Sequence, residues 1–243
     1  LTPLWRIVVL VMAVGMFGHV MQRAAGARWG VSVAGFFSGL ASSTAAVMSM
    51  GQAVRDGQIP HLPAAAAALL SSLSSLLLLF GVVGAVSPHL LQTMQWPLVM
   101  AAVAVLVAAV LCLRDHGPVP EMTGSARAFK LSHALVMAAL IAVMSLLAAA
   151  SQHGLGETGV LVAAVCVAWV EVHAAAASVA QLMQAGSMTP ELARWGLVAV
   201  LASSAVAKTV LAFFSGGRHY GWVVGAGLAA MVGAAALGLV WLP

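Results

Sequence analysis

The sequence predicts an all-α, polytopic membrane protein with about eight transmembrane helices in two pseudo-symmetric four-helix repeats. Three observations predict it. First, 63% of the 243 residues are hydrophobic and only 7% are charged, whereas a soluble domain carries about 25% charged residues. Second, apolar runs near the ~20 residues a spanning helix needs recur along the whole chain. Third, the second half of the chain matches the first, without gaps, when Gly159 is laid on Gly30.

The expected spans are 4–22, 30–54, 63–86, 94–113, 130–151, 158–184, 191–214 and 220–242. They are separated by turn-forming stretches: "RAAGARWG", "VRDGQIPHLP", "VSPHLLQTMQWP", "RDHGPVPEMTGSAR", "SQHGLGETG", "AGSMTPE" and "SGGRHYG". The fourth break is the longest and the richest in proline and charge. It divides the chain into repeat one (1–116), a linker (117–129) and repeat two (130–243).

The register that lays Gly30 on Gly159 also lays Ser49 on Ser178, Gln52 on Gln181, Gly57 on Gly186, and Ser74-Ser75 on Ser203-Ser204. Alanine pairs carry little weight in such a composition; the Ser, Gln and Gly pairs carry the match. Four spans per repeat make both repeats enter the membrane in the same direction. On that count Arg6, Arg55, Arg114, Arg127, Lys130 and Arg194 share one side, against Arg23, Arg28 and Arg218. The excess places both termini in the cytoplasm.

The net charge of +4 does not indicate nucleic acid, because the basic residues are scattered singly without a cluster or stripe. Cys112 and Cys166 lie in separate apolar segments, so no disulfide framework is expected. No zincin motif, nucleophile elbow or cofactor loop is present, so no enzyme is expected. The bilayer is the one certain partner, and small-residue faces suggest a homodimer.

Glu171 is the only acidic residue deep inside an expected span; Asp56, Asp115, Glu121, Glu157 and Glu191 sit at or near loops. A charge at the bilayer centre costs about 2.5–3.5 kcal/mol on insertion scales, which marks Glu171 as a functional candidate. The alternative is a neutral glutamic acid bonding neighbouring helices. His173 lies about 200° from Glu171 on a regular helix, so the two share one site only where the helix unwinds. Ser178 shares a face with Glu171, as Ser42 and Ser49 do in repeat one. Such faces serve helix packing, or they bring Ser42, Ser43 and Thr44 across to Glu171 and His173 where two helices cross. Lys208, with Ser204 one turn before it, either snorkels to the interface or shares a cavity with Glu171.

The run "GFFSGLASSTA" from Gly35 to Ala45 resembles the "G-x-x-x-G-L-x-S-S-T-A" motif of the bacterial membrane family called domain of unknown function 4010. That family's "G-L-x-D-V-D-A" is similar to "AWVEVHA" at 168–174, and its "A-x-x-N-x-x-x-K" to "LASSAVAK", which ends at Lys208. The linker "TGSARAFKLSHAL" resembles the segment that opens the family's second half. The resemblance implies an MgtC/SapB-type partner domain, upstream or in trans. It also implies that Glu171 and His173 stand where the family has two aspartates, and Ser204 where it has asparagine. A Glu–His pair suits zinc-like metals or a proton.

These residues lead to an inner-membrane transporter or channel for a small inorganic ion, with a divalent metal cation as the expected cargo. Glu171 and His173 would be the metal ligands, and Ser42, Ser43, Thr44, Ser178, Ser204 and Lys208 would complete the pathway. No resident cofactor is expected. An anion transporter organised by Lys208 and a non-transporting regulatory module are the alternatives.

Overall fold

The computed structural model describes residues 26–114, 168–169 and 171–241. The expected spans 4–22 and 130–151, the linker 117–129 and the first part of 158–184 fall outside these residues. Every described element is a helix: α1 (Gly26–Arg55), α2 (His61–Val86), α3 (Pro88–Arg114), α4 (Val172–Gln184) and α5 (Pro190–Trp241). Helices α2, α3 and α5 are long and apolar enough to cross a membrane. In hydrocarbon, helices satisfy their own backbone groups, which is why so apolar a chain is helical.

Helix α5 has 52 residues, about 78 Å of helix, far beyond the roughly 30 Å of a hydrocarbon core. It is not one crossing. At Gly217 the backbone leaves the helix (φ 81°, ψ −174°), a left-handed conformation that glycine adopts without penalty. Beyond it the chain folds back. The rings of Phe213 and Trp222 stand 5.5 Å apart, and a Cβ on Gly225 would lie 2.8 Å from Thr209. Near the other end Arg194 reaches the carbonyl of Leu239 at 3.4 Å. The two limbs, 190–216 and 218–241, are therefore antiparallel, and they define a Gly217 end and a Pro190 end of the bundle.

Helix α2 starts at the Gly217 end, where the rings of His61 and His219 are 5.9 Å apart. It runs to the Pro190 end and turns at Ser87, whose N–H donates to Val83 O at 2.7 Å. Pro88 then opens α3, a first-turn position where its missing N–H costs nothing. Helix α3 returns to the Gly217 end at Arg114.

Helix α1 departs from the expected crossing at 30–54. A Cβ on Gly35 would lie 2.7 Å from the Cα of Ala67, and Gly39 packs just as closely on Ser71. Numbers rise together along the two helices, so the first limb of α1 runs beside α2 away from the Gly217 end. At Ser42 the backbone is extended (φ −166°, ψ 104°). After that break the direction reverses. Gly51 packs on Ser215 and Gly216, the Arg55 guanidinium donates to Phe214 O at 2.6 Å, and the Tyr220 hydroxyl donates to Val47 O at 2.7 Å. All three contacts lie at the Gly217 end. Helix α1 is re-entrant: it enters and leaves by the same end. Eight crossings are therefore too many. The even count per repeat falls with them, and the expected cytoplasmic termini lie outside the described residues.

Helix α4 also differs from the expected span 158–184. Residues 168–169 form a turn, Glu171 is extended (φ −144°, ψ 94°), and the helix starts only at Val172. His173 sits against Ser75, fourteen residues into α2 and so about 21 Å from its start. From this mid-depth origin α4 runs to the Pro190 end. Helices α1 and α4 each pack on α2 and α5 and do not pack along each other among the described residues. The expected direct crossing of the Ser42 and Glu171 helices involves residues 158–167, which lie outside the described residues. Small residues make the close helix packing possible: Ala64 to Ala68 are all fully buried, and Gly35, Gly39 and Gly51 let backbones touch. Those glycines are used in packing within the chain.

Candidate functional site

The site is built on two places where a helix begins inside the bundle. At the first, Ser42 is extended and its hydroxyl accepts from Ala45 N–H at 3.3 Å. At the second, Glu171 is extended and its carboxylate accepts from His173 N–H at 3.0 Å. A new helix exposes four N–H groups without intrahelical partners, and a side-chain oxygen at the cap satisfies one. Both residues do this work. The register that lays Gly30 on Gly159 lays Ser42 on Glu171.

The same register pairs the places where these helices stop. Gly57 (φ 69°) and Gly186 (φ 72°) are left-handed. Gln58 N–H donates to Ala53 O at 2.9 Å and Ser187 N–H to Leu182 O at 3.0 Å. Each is a glycine-closed helix end in which a residue beyond the cap satisfies a carbonyl of the last turn.

The extended backbone at Glu171 brings its side chain beside His173, which a regular helix would have kept apart. Glu171 Oε1 is 2.5 Å from His173 Nδ1. His173 Nε2 is 3.0 Å from the carbonyl oxygen of Ser75 and 3.3 Å from its hydroxyl. A carbonyl only accepts, so Nε2 carries a hydrogen and donates it to Ser75 O. The Nδ1 contact then requires a second hydrogen, from an imidazolium or from a protonated carboxyl. In either form the Glu171–His173 pair holds one proton between its two partners and is neutral as a unit.

Lys208 is 4% exposed and Ser204, one turn earlier on α5, is likewise buried. The Lys208 ammonium lies within electrostatic reach of the Glu171 carboxylate. It has not snorkelled to an interface. The proton shared with His173 is what offsets the carboxylate, and Lys208 adds a further positive charge nearby. The Glu171 side chain is 53% exposed, so the acid is accessible while the base stands behind it.

The other expected site residues are distributed. Ser43 and Thr44 are buried at the α1 break, and no hydrogen bond joins them to Glu171 or His173 among the described residues. Ser178 is exposed and donates to Ala174 O of its own helix at 2.9 Å; it is not drawn into the site. Sequence reasoning misses Ser75, although its signal is present: the internal repeat lays it on Ser204, an expected pathway residue. No group of three or more His, Cys, Asp or Glu side chains gathers among the described residues. A metal at Glu171 and His173 would use one carboxylate and Nδ1 after losing the shared proton. Its remaining donors would be hydroxyls, carbonyls or water.

A family model described as Domain of unknown function (DUF4010) matches residues 9–216. The chain belongs to this family. No curated protein and no solved structure matches it.

Proposed function

We propose that the protein is a membrane transporter for a small inorganic ion, built from inverted repeats, with the Glu171–His173 pair as an exchangeable proton site. One observation carries this reading: two helices, at Ser42 and at Glu171, begin inside the bundle on polar capping residues. Discontinuous helices at the bilayer midplane are how many transporters form their sites. Helix α2 and the first limb of α5, paired by the internal repeat, run in opposite directions. This supports inverted repeats rather than the parallel ones expected from an even span count.

A divalent metal cation remains the leading cargo. The accessible charge is the carboxylate, and Glu171 Oε1 with His173 Nδ1 can hold a proton or a metal but not both. Such exclusion couples cation movement to proton movement. A second reading, anion transport, draws on a specific feature: the buried Lys208 and the N-terminal ends of α4 and the second limb of α1, which favour negative charge.

Orientation follows from the re-entrant α1. Arg55, Arg114 and Arg218 lie at the Gly217 end, while Arg194 lies at the Pro190 end. Of these arginines, three therefore lie at the Gly217 end and one at the Pro190 end. This basic excess supports a cytoplasmic Gly217 end. Cysteines placed at Gly57 and His219 should label from the cytoplasmic face, and one at Ser187 from outside, in a background lacking Cys112 and Cys166. Labelling of Gly57 and Ser187 from one face refutes the inverted arrangement.

Flux into proteoliposomes tests the activity. Zinc or manganese uptake should be lost in Glu171→Gln protein that retains its folded yield. Selective loss of chloride uptake in Lys208→Met favours the anion reading. Unchanged metal flux in folded Glu171→Gln protein refutes the cation reading.

A further inference from the structure

We propose that a crevice at the Pro190 end of α5 is a binding site for a zwitterionic phospholipid headgroup, with phosphate on Arg194 and ammonium on Glu191. The inference rests on the membrane-embedded reading of α5 and is independent of what the protein transports. The crevice has a volume of about 170 Å³ and is lined by Glu191, Arg194, Trp195 and Leu239.

Its two charges are not paired with each other among the described residues. Arg194 donates one guanidinium N–H to Leu239 O at 3.4 Å, a carbonyl in the last turn of α5 that has no helical donor. Its Nε is buried and has no hydrogen-bond partner. A buried donor left unmade costs about 1–3 kcal/mol, so a guanidinium edge in this state is completed by an acceptor entering the crevice. Glu191, in the first turn of α5, is exposed, and no ion pair joins it to Arg194 among the described residues.

The place selects the ligand. Both limbs of α5 end here, and the exposed Trp195 and Trp241 occupy the level where tryptophans mark the membrane–water boundary. A phosphodiester at this depth meets the guanidinium as a charge-assisted acceptor. The adjacent carboxylate repels a second negative charge and attracts a primary ammonium. Ethanolamine headgroups match this pair; glycerol headgroups and free phosphate lack the cation.

Native mass spectrometry of the full chain in detergent, titrated with phosphatidylethanolamine, phosphatidylglycerol or inorganic phosphate, tests the assignment. Phosphatidylethanolamine should be retained at least tenfold better than phosphatidylglycerol. Arg194→Gln should abolish that preference, and Glu191→Gln should shift it toward phosphatidylglycerol while total lipid binding persists. If Arg194→Gln does not fold, Arg194→Lys serves, since it keeps the charge but loses the planar fork and should lower retention several-fold. Equal retention of both lipids by the native chain overturns the site while leaving the membrane reading intact. Retention of inorganic phosphate as strong as that of lipid, or variants indistinguishable from the native chain, overturns it as well.

Discussion

The two interior helix starts share backbone geometry and differ in chemistry. At Ser42 a neutral hydroxyl caps the second limb of α1, and at Glu171 a carboxylate caps α4; both residues are extended. Two positions on, Thr44 is buried in one and His173 meets Ser75 in the other. The shape of a break is thus separable from its charge. A hydroxyl suffices to start a helix inside the bundle. The acid and the imidazole exceed what capping needs, and only the second break can hold a proton.

That contrast can be broken most sharply at the acid. Glu171→Gln retains a capping oxygen but cannot share a proton with His173, and metal flux should fall by two orders of magnitude or more. Ser42→Ala removes a cap worth about 1 kcal/mol, so it should lower thermal stability by a few degrees and leave most flux. Equal loss of flux at both sites, measured in the same vesicles, would show that the breaks matter by shape alone.

Lys208 gives the next largest effect. Lys208→Met removes the buried positive charge that interacts with Glu171. Folded yield should drop measurably, and the double variant Glu171→Gln/Lys208→Met should recover part of the loss. A double variant as damaged as Lys208→Met alone would mean that the two residues do not interact, because a coupled pair gives non-additive losses.

The closing glycines give an effect on stability of the same size as the Ser42 cap. Gly57 and Gly186 have nearly equal φ, 69° and 72°, and a Cβ at either meets nothing within 4 Å. Alanine at either should cost only the backbone penalty of about 1–2 kcal/mol. The two variants should lower the melting temperature alike. A large difference between them would show that one turn carries a load the other does not.

The sequence by itself determined the membrane class, because 7% charge cannot cover a water-facing surface. It also named Ser42 and Glu171 as site candidates, although it expected no break at Ser42. The matches "GFFSGLASSTA" and "AWVEVHA" contain Ser42 and Glu171, and the internal repeat pairs them. Even the condition for Glu171 and His173 to meet, an unwound helix, follows from 3.6 residues per turn. Hydropathy could not give the direction of the chain after Ser42. A kinked crossing and a re-entrant hairpin have the same length, composition and capping residue. They differ in what the second limb touches: Gly51 on Gly216, Arg55 on the Phe214 carbonyl and Tyr220 on the Val47 carbonyl. Each of those contacts joins a position in the first quarter of the chain to one in the last, so no local pattern encodes it. Only the tertiary structure decided that α1 turns back, and with it which ends of the helices share a membrane face.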